Sequence, residues 1–489
     1  MRLKAKKINL EAGRPIAFIS VAVAEKLGLH IGDRILVSQN DKNAFVTVDL
    51  TNSFVKESEI AFSKEVFEYI KIDLNKEVNI SLALSPESTR FISKKLSGKE
   101  LSKDEIFSII KDIVNNSLTE AETAYFVSAV YEKGMTTKET LFLTEAIFKT
   151  GSKIDWHTKN IADKHSIGGI AGNRTTPIVV AICAAAGIVM PKTSSRAITS
   201  ASGTADVMET LCKVDFSPNK LKEIVKKTNA CLAWGGSLGL APADDKLIRV
   251  ERLLNLDPEP QLLASIMSKK LAAGSKNVLI DIPYGPQAKV SKEEAKKLSK
   301  KFLAIAKHFK MKMKVVLTLG DQPIGNGIGP ILEIRDVLRV LKQENPPMDL
   351  EQKSIFIASQ IIEMMRKAKK GKGEFIARSI LETGAALEKF NEIVDFQGRK
   401  KTDLKLGKYV HEIKSQRNGK VIHIDNKMIN ETARILGCPE DKRSGIYLHY
   451  HKGESISQGE TLLTFYAESK SKLQEAIRFY NSSKVIVVV

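Results

Sequence analysis

The stretch NIADKHSIGGIAGNRTTPIVVAICAAAG, residues 160–187, decides how the chain is read. Residues 160–164 read as a short strand. Residues 166–172 are a glycine-rich loop, and residues 176–187 have the almost unbroken apolar character of a buried helix. The apolar run 178–190 is shorter than the roughly 20 residues a membrane-spanning helix needs. It therefore reads as that helix passing into a strand at 188–190. A second loop, 191–203, leads into a helix expected to bury Val207, Met208 and Leu211, and another β run follows at 278–282. Strand, loop and helix repeated in this order predict an α/β domain with a mostly parallel sheet.

On the N-terminal side lies a run of helix signals. Ser102 with Glu105, Thr119 with Glu122 and Thr136 with Glu139 are three successive capping boxes. The first precedes Ile106, Ile109, Ile110 and Ile113 on one face; the second helix stops at Gly134 and the third before Gly151. Before them, residues 15–21, 33–37 and 44–49 read as strands, with turns at Gly32–Asp33 and 39–43. Beyond residue 405, short strands return at 420–424, 445–449, 461–465 and 485–489. The expected architecture is multidomain α+β. An N-terminal small β-barrel-like domain (1–86) precedes a helical subdomain (87–157, joined by part of 240–270). An α/β domain (158–404) and a C-terminal β-rich, barrel-sandwich-like domain (405–489) follow.

With 489 residues and a net charge of +19, the chain could be suspected of binding nucleic acid. The lysines are spread out, however. The densest cluster (Arg366, Lys367, Lys369, Lys370, Lys372) reads as a solvated helix face and turn, so no nucleic-acid partner is expected. A basic field also suits a site that handles two phosphates. Arg2, Lys4, Lys6 and Lys7 are followed by no apolar run, so no signal peptide and no membrane partner are expected. Cys183, Cys212, Cys231 and Cys438 form no close pair, and the reducing cytoplasm is the expected compartment.

Two loops carry the candidate chemistry. In residues 163–169, glycines would let backbone N–H groups approach an anion at a helix N-terminus, with Lys164 and Ser166 adding a charge and a hydroxyl. Residues 192–206 gather hydroxyls, a lysine and Arg196, whose guanidinium can grip phosphate oxygens in bidentate fashion. Ser/Thr-rich segments are also ordinary turns, and composition leaves both readings open.

The second loop resembles the signature of the thymidine and pyrimidine-nucleoside phosphorylase family through Ser194, Arg196, Gly203, Thr204, Asp206 and Glu209. Lys164, His165, Ser166, Gly168 and Gly169, the segment 241–245, and Ser265 with Lys269 match the same family. Within it the chain is most similar to the AMP phosphorylase subgroup. It has that subgroup's extra N-terminal β-rich domain, and Thr199-Ser200 where nucleoside-specific members have Gly-His. The resemblance implies phosphorolysis of a nucleoside 5′-monophosphate to free base and ribose 1,5-bisphosphate. Inorganic phosphate would be co-substrate, with no cofactor and no metal, in a homodimer or larger assembly. Lys164, Ser166, Ser194 and Thr204 would hold the phosphate. Gly169, Ser195, Arg196, Ala197, Ile198, Thr199, Ser200, Thr204 and Lys289 would line the nucleotide, while Ser265 and Lys269 face the base.

The resemblance also makes Asp257 the proton donor to the departing base. That role demands a raised pKa and hence partial burial; without the resemblance, Asp257 reads as a cap for the helix after Pro258. Lys269 and Lys270 likewise have a bland reading as solvated helix lysines. Pyrimidine-specific members place an arginine fifteen residues before the serine matching Ser265. Here that position is Val250, between Arg249 and Arg252, which implies looser pyrimidine selectivity. Two other readings stay open: a nucleoside phosphorylase on the same scaffold, and a non-catalytic nucleic-acid-binding protein. His449 and His451 read as surface residues, and Gly325, Gly327 and Gly329 as a tight turn.

Overall fold

The computed structural model describes every residue except His157, Lys159, Ile198 and Thr199. It divides into two units, Met1–Thr150 with Pro242–Ser265, and Gly151–Ala241 with Ile266–Val489.

The first unit opens with a six-stranded closed barrel of β1 (Arg2–Lys7), β2 (Ile16–Ser20), β3 (Arg34–Gln39), β4 (Lys42–Thr51), β5 (Glu59–Phe62) and β6 (Glu77–Leu82), in the order β1-β5-β2-β4-β3-β6. Alternation drives it: Ile35 and Val37 of β3 and Ala44, Val46 and Val48 of β4 point inward, and closure removes exposed edges. The strand expected at 15–21 ends at Ser20. Its hydroxyl accepts the Val23 N–H and starts helix α1 (Val21–Leu27); α2 (Lys64–Ile70) is a second helix within this part.

Helices α3 (Ser88–Leu96), α4 (Lys103–Val114), α5 (Glu120–Lys133) and α6 (Thr137–Lys149) follow. All three capping boxes form, each hydroxyl accepting the backbone N–H of the glutamate three residues on while that glutamate reaches back. A buried Lys95–Glu139 ion pair (2.8 Å) links α3 to α6. Arg34 of the barrel pairs with Glu122 of α5 at 2.9 Å.

The second unit holds β7 (Ala162–Ser166), α7 (Thr175–Ala185), β8 (Met190–Ser194), α8 (Thr204–Met208), α9 (Pro218–Thr228) and β9 (Ala230–Trp234). The chain then enters the first unit with α10 (Pro242–Leu254) and the start of α11 (Glu259–Ala272). Lys246 of α10 donates to Ile113 O and Val114 O (both 2.8 Å), the loose carbonyls at the end of α4. Back in the second unit come β10 (Asn277–Tyr284), α12 (Lys292–His308), β11 (Lys312–Leu319), β12 (Gly327–Ile328), α13 (Pro330–Lys342), α14 (Met348–Met364), α15 (Gly373–Glu382) and α16 (Ala385–Phe396). Strands β11, β10 and β7 pair in parallel, as do β8 and β9, and a parallel bridge between Ile161 and Val189 links the two sets. Helix α7 is buried along almost its whole length against α14 and α16, which explains its unbroken apolar sequence. The basic cluster from Arg366 to Lys372 is an exposed turn between α14 and α15.

Two strands differ from expectation. β7 lies two residues later than 160–164, so Ser166, expected to open the loop, stands on the strand with Lys164. β8 extends through Lys192 and Thr193 to Ser194, residues whose polarity reads as loop; pairing with β9 makes them strand.

The C-terminal part has β13 (Tyr409–Lys414), β14 (Gly419–Ile424), α17 (Asn426–Leu436), β15 (Gly445–Leu448), β16 (Ser455–Ile456), β17 (Thr461–Ala467), α18 (Lys470–Ser482) and β18 (Ile486–Val488). Its sheets run β12-β15-β17-β13 and β16-β14-β18. Helices α17 and α18 pack on them with Ile429, Ala433, Leu436, Leu473 and Ala476, an element pair the strand pattern did not announce.

Candidate active site

Lys164 projects from β7 into the protein, where its side chain is almost fully buried. Its Nζ donates to Thr175 Oγ1 (2.9 Å) and Thr176 Oγ1 (3.0 Å) at the start of α7. Burial lowers its pKa to about 8; Asp281 pulls it upward, and Lys353 and Arg174 pull it further down.

Ser166 ends β7 and Ser194 ends β8. Each lies five residues beyond the Ile161–Val189 bridge, so the two serines sit at the carboxyl ends of adjacent parallel strands. Ligands of open parallel sheets bind outside such ends. Both hydroxyl oxygens are buried, and neither has a hydrogen-bond partner among the described residues. Buried hydroxyls are normally paired, so these two have donor capacity left for an anion.

The second loop is braced from within. Asp206 Oδ2 accepts the N–H groups of Ala197 (2.8 Å) and Gly203 (2.9 Å). Arg196 forks onto Glu209, with Nη1–Oε2 and Nη2–Oε1 both 2.9 Å, reaches Asp206 Oδ1 at 3.1 Å, and lies 4.8 Å above the Trp234 ring. The guanidinium expected to grip phosphate is thus engaged with carboxylates of its own loop. A side chain at Gly203 would collide with backbone, its Cβ 2.4 Å from Ser195 O.

Thr204, the first residue of α8, accepts from Arg174 Nη1 (2.9 Å). Arg174 also donates to Glu333 Oε2 (2.6 Å) and Ser202 O (2.8 Å), and Ser202 Oγ donates to Glu333 Oε1 (2.8 Å). This buried Arg174–Glu333 pair holds the turn that presents Thr204. The sequence reading missed it, because its two members stand 159 residues apart.

Gly169 has φ +91°, and a Cβ there would lie 2.7 Å from Lys289 Cγ, so the glycine loop and the Lys289 segment are in contact. Ser195 is exposed, Ala197 and Ser200 are half-buried, and Ser200 Oγ donates to Ser202 O (2.6 Å). Ile198 and Thr199 lie outside the described residues. Lys269 is half-buried on α11, but its neighbour Lys270 is buried, which corrects the solvated reading. Lys270 Nζ donates to Asp163 Oδ2 (2.8 Å), Ser275 Oγ joins at 3.1 Å, and Lys192 Nζ lies 3.8 Å from Oδ1. Burial and the nearby Lys270 lower Lys192 to about 7. Beneath Lys164, Asp281 accepts from Thr318 Oγ1 (2.6 Å) and lies 3.3 Å from the buried Lys353 Nζ.

In the first unit, Ser265 Oγ donates to Asp244 Oδ2 at 2.8 Å. Asp257 is exposed on the short connection between α10 and α11, not partly buried as a proton donor was expected to be. Val250 is buried, and Arg249 donates to Gly13 O (2.7 Å), an engagement with the barrel side of this unit. The glycine trio forms a structural turn. Asp336 Oδ2 accepts from Asn326 N (2.7 Å) and Gly327 N (2.6 Å), and Gly329 donates to Glu333 Oε1 (3.0 Å). His449 Nε2 meets Thr464 Oγ1 at 2.8 Å; His451 is half-buried, 3.9 Å from Asp349.

The geometry is matched by known families along most of the chain. Residues 89–151 match a glycosyl transferase family helical bundle domain and 158–387 that family's a/b domain. Residues 420–486 match a pyrimidine nucleoside phosphorylase C-terminal domain. The AMP phosphorylase of Pyrococcus furiosus is 44% identical over 482 residues, 98% of this chain and 96% of that protein. The chain belongs to the AMP phosphorylase subgroup of the pyrimidine nucleoside phosphorylase family. Other members of the subgroup are similarly related. The AMP phosphorylase of Pyrococcus abyssi is 46% identical (98% and 96% covered), and AMP phosphorylase 1 of Archaeoglobus fulgidus is 40% identical (100% and 97% covered). Like the family, the chain is a pentosyl-transferring enzyme of the phosphorylase class. Anthranilate phosphoribosyltransferase from Thermus thermophilus shares the fold, with a TM-score of 0.53 at 17% identity, over 63% of this chain and 98% of that one. No helix among the described residues is long and apolar enough to cross a membrane.

Proposed function

We propose that this chain uses inorganic phosphate to cleave the N-glycosidic bond of a nucleoside 5′-monophosphate, AMP foremost, giving free base and ribose 1,5-bisphosphate. The observation that carries the reading is the pair of buried hydroxyls of Ser166 and Ser194, without partners among the described residues, at the ends of adjacent parallel strands, the first of which also bears Lys164. An anion-binding pocket needs such donors; an ordinary turn would have satisfied them internally. The names of the relatives support AMP as substrate, as does the Thr199-Ser200 pair where nucleoside-specific members carry Gly-His.

In this reading Lys164, Ser166, Ser194 and Thr204 hold the attacking phosphate, and the residues from Ser195 to Ser200, with Gly169, Thr204 and Lys289, receive the nucleotide. A phosphate oxygen forms the new bond to the anomeric carbon. The carbon–nitrogen bond breaks, its electron pair leaves with the base, and the base takes up a proton, for which the family resemblance, and not the exposed setting of the side chain, names Asp257. Ser265 and Lys269 face the base. Holding phosphate beside the sugar provides proximity, and its charge stabilises the oxocarbenium character that builds there. With Val250 in place of an arginine and Arg249 tied to Gly13, base selection is expected to be broad.

The test is base release from AMP, CMP, UMP, thymidine and uridine, each with and without inorganic phosphate. Phosphate-dependent release from the monophosphates supports the reading. Release from thymidine or uridine with little from AMP would move the chain to the nucleoside branch. Salt-sensitive RNA binding with no base release would defeat it altogether.

A further inference from the structure

Helix α17 of the C-terminal part carries two buried asparagines four residues apart, and hence on one face. Each carboxamide accepts a backbone N–H from a different loop. Asn426 Oδ1 takes Ala171 N (3.0 Å) at the end of the glycine loop. Asn430 Oδ1 takes Ala201 N (2.9 Å) at the end of the hydroxyl-rich loop. The remaining amide groups extend the connection. Asn426 Nδ2 donates to Gln287 O (3.3 Å), two residues before Lys289, and Asn430 Nδ2 donates to Asn426 O (2.9 Å). One turn on, Arg434 donates to Ser200 O (3.4 Å). Ala171 and Ala201 are also packed in the same apolar cluster as Ile429 and Ala433 of this helix.

These contacts are more specific than packing requires. An apolar helix face would bury Ala171 and Ala201 equally well, but it would leave their N–H groups unpaired. The tethered atoms belong to the segments that bear Ser166, Gly169, Ser200, Thr204 and Lys289, so a single helical turn sets the spacing of three loops. We propose that Asn426 and Asn430 are positioning residues for phosphorolysis: α17 acts as a bracket that holds the phosphate loop and the nucleotide loop at their working separation. The assignment rests on the functional reading above. It gives the C-terminal part a role in catalysis without contact with substrate.

The experiment compares Asn426→Ala and Asn430→Ala with the wild-type chain in AMP phosphorolysis, alongside thermal melting and calorimetric binding of inorganic phosphate. Loss of one tether should shift the matching substrate by about fivefold to tenfold, the change a lost hydrogen bond brings. Asn426→Ala should raise KM for phosphate and weaken phosphate binding. Asn430→Ala should raise KM for AMP more than KM for phosphate. Asn430→Asp, which keeps an acceptor for Ala201 N–H, should recover most of the AMP affinity. Lower melting temperature and lower kcat with both KM values unchanged would show a merely structural role and overturn the proposal. If the alanine variants do not fold, hydrogen exchange of the wild-type chain decides. Ala171 and Ala201 amides must then exchange in step with α17, and independent exchange overturns the bracket. A wild-type chain that binds phosphate yet releases no base from AMP would sink the functional reading alone, because the phosphate affinity of Asn426→Ala still tests the tether. No phosphate binding at all would sink both.

Discussion

Arg196 and Glu209 face each other in a two-pronged ion pair, Nη1–Oε2 and Nη2–Oε1 both 2.9 Å, which closes the hydroxyl-rich loop on itself. The hydrogen bonds from Arg196 lower the Glu209 carboxyl to about 2 from its ordinary 4.5. The folded value lies below the unfolded one, so the pair's contribution is present above about pH 4.5 and lost as pH falls towards 2. Glu209→Gln should therefore melt below the wild type at neutral pH, by about 0.5–1 kcal/mol given that Arg196 is more than a third exposed. The difference should vanish in acid. Arg196→Lys keeps the charge but not the fork, and should raise KM for AMP several-fold. Melting curves from pH 2 to 7 and steady-state kinetics check both; a gap that persists at pH 2 would exclude this origin.

Ser166→Ala and Ser194→Ala remove hydroxyls that have no hydrogen-bond partner among the described residues. Neither should lower the melting temperature, and each should raise KM for phosphate by about tenfold, the fold-change of one hydrogen bond to a charged ligand. A fall in stability with unchanged phosphate KM would assign the hydroxyls to the fold instead.

Lys164 gives phosphate binding a pH limit. Burial sets its pKa at about 8, so the phosphate KM of the enzyme should climb above pH 8 as the ammonium is lost. Stability runs the other way. The folded chain holds fewer protons than the unfolded one between about 8 and 10.5, so this group adds stability as pH rises through that window. Lys164→Met should abolish the alkaline rise and depress kcat/KM by about 100-fold. A flat phosphate KM from pH 7 to 10 in the wild type would remove Lys164 from the site.

Asp163 is buried, with Lys270 at 2.8 Å and Lys192 at 3.8 Å. Asp163→Asn leaves those ammonium groups without their shared carboxylate, and should destabilise the chain by about 3–5 kcal/mol. Adding Lys270→Met should restore part of the loss. Urea unfolding of the single and double variants measures it; equal stability of Asp163→Asn and wild type would contradict the pairing.

What the sequence by itself determined lies in signals that span a few residues. Ser102, Thr119 and Thr136 each announce a helix because cap and partner are three residues apart, a distance the helix geometry fixes. Alternation in β3 and β4 announces the barrel wall, and the apolar run of α7 announces a helix buried on all sides. The order of glycines and hydroxyls also marked the two loops. What only the tertiary structure decided is how those loops are held. Arg174 meets Glu333 across 159 residues, Lys270 meets Asp163 across 107, and Asn426 meets Ala171 across 255. None of these pairs has a local pattern. An arginine, lysine or asparagine looks the same in sequence whether solvated or buried, and only chain closure brings its partner within 3 Å. The same closure turned Lys192, Thr193 and Ser194 from apparent loop into strand, because the ladder to β9 supplied hydrogen bonds that local propensity does not encode.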